Sequence, residues 1–356
     1  MPEYKLKTAK KEPPGQFKKH NMNKKIFLYL TIASTLIFFS CQPERKYTDN
    51  QNNSNNTNTT QTVTEKPRVI PPDFNSDSAY SYILKQAELG PRIPGSNAHK
   101  KAVNWFENFF KKTGADVKVM GGNTTTFDGK SWRIDNVIAS YNLQAKNRIL
   151  LSAHYDSRPF SDKDSDPANY NKPCPGVNDG ASGVGVLMEV ARQISIKQPG
   201  VGIDIVLFDL EDYGDSGGID SWALGSQDWA KNPHKPGYKA KYGILLDMVG
   251  AKNATFPKEG LSVFHANDVV NKIWNTAEKI GYGNYFLQEE SAEMTDDHTA
   301  INKIAGIPCV DILHYNHITN QFFEYHHTTK DDINTIDKNT LKAVGQTLLE
   351  VIYNEE

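Results

Sequence analysis

The chain has 356 residues, more than one average domain, with 38% hydrophobic and 23% charged side chains. Its 40 basic and 42 acidic residues give a formal net charge of −2. Beyond the lysine-rich first 25 residues no basic stripe runs through it, which argues against nucleic-acid binding.

In chain order, Asn23-Lys24-Lys25 is a positive n-region and Ile26 to Phe39 an apolar run. The run is too short for a stable anchor helix and suits a signal h-region. It ends in Phe38-Phe39-Ser40-Cys41, which resembles a bacterial lipoprotein signal. That resemblance implies that Cys41 is lipidated and becomes the mature N-terminus; an ordinary secretory signal with an incidental cysteine is the alternative. Met22 directly precedes the signal, so residues 1–41 are read as an over-extended gene start plus a signal peptide. Without what precedes Cys41 the chain keeps 32 basic and 40 acidic residues, a net charge of −8. Residues 42–66 are rich in Asn and Thr, have little to bury and read as a disordered tether. The signal resemblance implies a protein exported and lipid-anchored to the bacterial cell envelope, facing the periplasm or the cell surface.

Residues 67–356 read as a single α/β domain. Helices are predicted over Ser81 to Glu88 and Ala98 to Lys112, the latter with Val103, Phe106, Phe109 and Phe110 on one face. Strands follow at Asp135 to Ala139 and Arg148 to Ala153, then a helix from Gly180 to about Gln198. Further strands are Gly202 to Phe208, Tyr242 to Leu246 and Ile307 to Val310; further helices are Val269 to Ile280 and Thr340 to Tyr353. The alternation predicts a three-layer helix–sheet–helix sandwich with a mixed, mostly parallel central sheet. Cys174 and Cys309 are expected to be unpaired.

Acids and histidines collect where the apolar runs end. His154 and Asp156 follow one buried strand with a single residue between them. Glu211-Asp212 follow a second strand, and Asp247 a third. Asp179 sits in a glycine-bounded turn before a helix, where alone it would be a helix cap. Alone, Asp212 would be a solvated acid and His327 a packed surface histidine. Jointly they suit a metal site, since ligands in open α/β sheets lie beyond the carboxyl ends of the strands.

His154-Tyr155-Asp156-Ser157, Asp179-Gly180, Glu211-Asp212, Leu246-Asp247 and His327-Thr328 resemble the zinc aminopeptidase superfamily. Leu245 to Ala251, Asn253 to Phe256 and Thr295-Asp296-Asp297-His298 are similar to its glutaminyl cyclase branch. The resemblance implies one zinc per chain held by Asp179, Asp212 and His327, with Glu211 as general base and Asp247 and Asp296 as a proton-sharing pair. It also implies conversion of N-terminal glutamine of peptides and proteins to pyroglutamate with loss of ammonia; separately, the chain is expected to be a monomer. Against the animal cyclases, this chain has Asp212 for a second glutamate, His326 for an aromatic residue, Asp311 for a pocket histidine and Ala153 for a disulfide cysteine. Trp222, Phe322, Phe323 and Tyr325, with His326, are candidates to line the substrate pocket. Two rivals stand. A two-zinc aminopeptidase would recruit His154, Asp179, Asp212, Asp247 and His327, with Glu211 activating water; His154 and Asp156 are therefore second-metal or structural candidates. A non-catalytic binding lipoprotein is the other, and an unligated Glu211 beside a ligand acid argues against it.

Overall fold

The computed structural model of the protein describes residues 68–215 and 217–355; the signal peptide, Cys41 and the tether lie outside them. Strands β1 (Asp116–Met120), β2 (Asn136–Tyr141), β3 (Arg148–His154), β4 (Gly202–Phe208), β5 (Tyr242–Asp247) and β6 (Cys309–Leu313) form one sheet. Their order is β1-β2-β4-β3-β5-β6. The run β4-β3-β5-β6 is parallel throughout, and only the pairings of β1 with β2 and of β2 with β4 are antiparallel. The sheet is mixed and mostly parallel.

Both faces are covered, so the central strands are continuous apolar runs rather than alternating ones. Ile149, Leu151, Ile203, Ile205, Leu207, Ile244 and Leu246 point into one core. That core is shared with α1 (Ser76–Leu89), α2 (Asn97–Lys112), α3 (Ala181–Ile196), α5 (Gly260–Lys279) and α7 (Lys338–Tyr353). On the opposite face Leu150, Val206, Phe208 and Cys309 meet Trp229 and Ala230 of α4 (Leu224–Lys231) and Ala300 of α6 (Asp297–Ala300). This is the three-layer sandwich.

Some elements differ from the sequence reading. The first helix begins five residues earlier than predicted, at Ser76, because the Asn75 side chain accepts the Ser78 N–H as an N-cap. The helix predicted from Val269 begins at Gly260, capped by Glu259, and kinks at Ala266. The last strand starts after Pro308, which has no N–H to give to the ladder. Cys174 and Cys309 are both free and buried.

Register fixes the rim. His154 pairs with Phe208, and Leu313 with Asp247. Two residues beyond the Ser152–Leu245 pair, His154 and Asp247 come level. Four parallel strands thus end in one row, at the edge where the candidate residues stand.

Candidate active site

The loop after β4 is held in an unusual turn. Leu210 has φ 53°, a left-handed conformation that costs a non-glycine residue about 1–3 kcal/mol. Its N–H donates to the Asp209 carboxylate at 2.9 Å, which also accepts the Asp135 N–H at 2.8 Å. Asp209 is in turn 2.9 Å from His99 Nε2. One residue on, the Asp156 carboxylate accepts the N–H groups of Glu211 at 3.1 Å and Asp212 at 3.2 Å. Asp156 therefore serves the backbone of the two acids. Met248, directly after Asp247, and His327 itself are left-handed too, with φ 51° and 57°.

Asp179 is placed by the turn before α3. The Asp331 carboxylate accepts the N–H groups of Asn178 at 2.8 Å and Asp179 at 3.0 Å. Gly180 follows with φ 89°, and a Cβ there would stand 2.9 Å from His154 Cε1. Only glycine lets the turn close on His154.

Three donors converge beside it. His327 Nε2 lies 3.0 Å from Asp212 Oδ1 and 3.8 Å from Asp179 Oδ2. Asp212 Oδ1 is buried, facing that imidazole nitrogen and, at 3.7 Å, Arg158 Nη1. Two carboxylates and one imidazole are by chemistry a zinc-type donor set, although Asp212 belongs to neither of the groups with metal-binding spacing among the described residues. His327 Nδ1 is 3.5 Å from Asp162 Oδ1, the carboxylate-behind-histidine arrangement that orients metal ligands. Arg158 fixes Asp162 in turn, at 2.9 and 2.6 Å.

His326 is also 3.8 Å from Asp179 Oδ2, and Asp179, His326 and His327 form one group with metal-binding spacing. Its Nδ1, however, lies 3.0 Å from Lys163 Nζ. An ammonium only donates, so Nδ1 accepts and the proton of this neutral imidazole sits on Nε2. Burial, then His327, holds the His326 pKa well below its ordinary value, consistent with a neutral ring. His326 therefore donates toward the site, whereas burial lowers the His327 pKa but Asp212, Asp162 and Asp179 outweigh it and raise it.

A second group with metal-binding spacing is His154, Asp179 and Asp247. His154 Nε2 is 3.1 Å from Asp179 Oδ1 and 3.2 Å from Asp247 Oδ1. Burial lowers the His154 pKa, but contacts with Asp156, Asp179 and Asp247 outweigh it and hold it well above the usual value.

Glu211, Asp247 and Asp296 line a cavity of about 350 Å³ together with Trp222, Phe322 and the metal-type residues. Burial, then Asp296, pushes Glu211 well above the usual carboxylate range. Burial, then Asp179 and Asp296 against the opposing pull of His154, pushes Asp247 up to about 7. Asp296 is raised by burial as well. Crowded carboxylates cannot all ionise, and some hold protons near neutrality.

Trp222 stacks on the His327 ring at 6.0 Å and 10°. Phe322 packs on His326 at 4.7 Å. Tyr325 stands apart: it packs edge-on against Phe323 and lines a different surface recess. Sequence reasoning missed Asp162, Arg158 and Asp331, which sit in loops without periodicity. It noted Asp311 only as a departure. The structure buries that side chain near His298, with Nδ1 to Oδ2 3.7 Å, and pairs neither of its oxygens with a donor.

An α/β sandwich with buried carboxylates and histidines at the carboxyl ends of its parallel strands has its candidate ligands where such folds bind them, and the donor types suit a metal ion. The chain belongs to peptidase family M28, whose model matches residues 136–352. It is 48% identical to a Zn-dependent exopeptidase from Parabacteroides distasonis, with TM-score 0.78, covering 80% of this chain and 100% of that one. It is 45% identical to a Bacteroides thetaiotaomicron glutaminyl cyclase solved with N-acetylhistamine, with TM-score 0.79, covering 81% and 100%. The glutaminyl-peptide cyclotransferase of Bothrops jararaca is 26% identical over 60% of this chain. The chain spans less than two thirds of the length of the first curated relatives it matches, 42% and 63%.

Proposed function

We propose that the protein is a zinc-dependent glutaminyl-peptide cyclotransferase, acting as a monomer with one zinc per chain on peptides and proteins with N-terminal glutamine. The observation that carries this is Glu211, free of the metal-type trio, facing Asp247 and Asp296 across one cavity. The 45% identity to a bacterial glutaminyl cyclase over that whole chain supports it. The signal-like segment ending at Cys41 supports an exported protein anchored by lipid to the cell envelope.

Asp179, Asp212 and His327 would hold the zinc. When bound, it supplies Lewis acidity toward the γ-carbonyl of glutamine and positive charge that offsets the surrounding acids. The nucleophilic α-amine and the γ-amide belong to one residue, so proximity is largely built into the substrate. Asp247 and Asp296 accept hydrogen bonds from the amine and orient it. The neutral α-nitrogen forms its bond to the γ-carbon, and the Glu211 carboxylate takes one proton from that nitrogen and delivers it to the γ-nitrogen. The C–N bond to that nitrogen breaks, and ammonia leaves. Trp222 and Phe322 wall the cavity and limit water, which would otherwise compete as nucleophile.

The His154–Asp179–Asp247 group favours a second reading, a two-metal aminopeptidase in which Glu211 activates water. Incubation with a glutamine-initiated peptide separates the two: ammonia and a pyroglutamyl peptide are expected. Release of free glutamine, with two zincs per chain both needed for activity, would establish the peptidase instead.

A further inference from the structure

Beside the catalytic cavity lies a second one of about 680 Å³, and the two share Lys163, Phe322 and His326 as a common wall. Cyclisation has no use for this space, because nucleophile, electrophile and leaving group all sit in the first residue of the substrate. A third cavity, of about 260 Å³, opens past Trp222 and is lined by Ile219, Ala300 and Ile304 among others. A peptide continues beyond its first residue and must leave by one of these two routes.

Charge and hydrogen bonding choose between them. The α-amine donates its N–H groups toward Glu211, Asp247 and Asp296, which line the catalytic cavity. Asp296 and Thr295 form the wall toward the third cavity, whose lining offsets its one lysine, Lys303, with Asp220 and Asp296. The α-carbonyl, on the same Cα as the amine, then points away from the acids, toward Lys163. Beyond that lysine the second cavity offers the amide side chains of Asn253, Asn316 and Gln321 to an extended backbone. His314 Nδ1 is buried there without a partner. Lys163 and Lys252 face a single carboxylate, Glu324. Lys163 lies 3.0 Å from His326 Nδ1 and 5.2 Å from the Phe322 ring centroid, neither of them a carboxylate.

We propose that the second cavity is the subsite for the two residues after the N-terminal glutamine, and that Lys163 and Lys252 make it favour acidic side chains there. This rests on the cyclase reading. The test compares kcat/KM for four substrates: Gln-Glu-Glu-Ala, Gln-Ala-Ala-Ala, Gln-Lys-Lys-Ala and glutamine amide, which has no downstream residue. The order Glu, Ala, Lys is expected, with roughly fivefold between the ends at low salt, as for solvent-accessible ion pairs, and less at high salt. Lys252→Glu should flatten or reverse the order while glutamine amide is cyclised as before. Equal values for the three peptides, or an unchanged order in Lys252→Glu, would overturn the subsite and leave the cyclase reading standing. So would a preference for leucine after glutamine that Ile304→Ser removes, since the chain would then run through the third cavity. No cyclisation of any substrate, glutamine amide included, would overturn the cyclase reading and the subsite with it.

Discussion

Glu211 and Asp212 are neighbours with the same charge, yet their surroundings give them different work. The left-handed turn at Leu210 and the grip of Asp156 on both N–H groups fix the backbone. Asp212 is thereby aimed at His327, and Glu211 lines the cavity with Asp296. Glu211→Gln should keep the fold and the zinc content while lowering turnover by about 10² or more, the scale of losing a general base. Asp212→Asn should instead lose zinc, because a neutral amide is a poorer ligand. Metal analysis beside turnover on a glutamine peptide checks both; exchanged phenotypes would reverse the assignment. At this scale the sequence was legible wherever a reactive side chain ends an apolar run, as at His154, Glu211, Asp212 and Asp247. It was not legible for Asp162, Asp331 and Arg158, whose value comes from which loop packs beside which, a property with no local signature.

At the scale of elements, Asp296 has two roles that need separating. It is the N-cap of α6, in a capping box with Thr299, and it lines the catalytic cavity. A carboxylate that only capped a helix would sit well in water, whereas Asp296 is buried with Asp247, Asp297 and Asp311 around it. Asp296→Asn retains a capping side chain and should leave stability nearly unchanged; Asp296→Ala should cost about 1 kcal/mol. In cyclisation both variants should fall, alanine furthest, since asparagine can still hydrogen-bond to the amine. Full activity in Asp296→Ala with zinc retained would reduce the residue to a cap. Helices and central strands were read from the sequence because periodicity and continuous apolar runs mark them. The edge strand β1 was not, being half-exposed and set by its pairing with β2. Nor was α4, an eight-residue helix whose burial of Trp229 depends on the sheet beneath it.

Across the whole molecule, the acids at the rim tie stability to pH and to the metal. A carboxylate raised by the fold keeps a proton that the unfolded chain has already lost. Its contribution therefore declines as pH rises from the unfolded value near 4 to the folded one. For Asp247 that window ends at about 7. Glu211, Asp296, Asp297 and Asp311 act in the same direction. His99, His154 and His327, all raised, stabilise fully below about 6.5 and less as pH passes their folded values. His314, lowered by burial to about 4, and His326 oppose this below about 6.5. Asp162 and Asp179 are depressed and already ionised in both states at such pH, so they contribute no slope. The metal-free protein should therefore melt at lower temperature as pH is raised from about 5 to about 8, by about 2–4 °C per kcal/mol for a domain of this order of size. Zinc binds the native state with deprotonated ligands, so its stabilisation grows over the same range. Thermal melts with and without a chelator should diverge with pH, the gap being widest at about pH 8. A chelated protein whose melting temperature rises with pH would show that the fold does not hold these acids protonated.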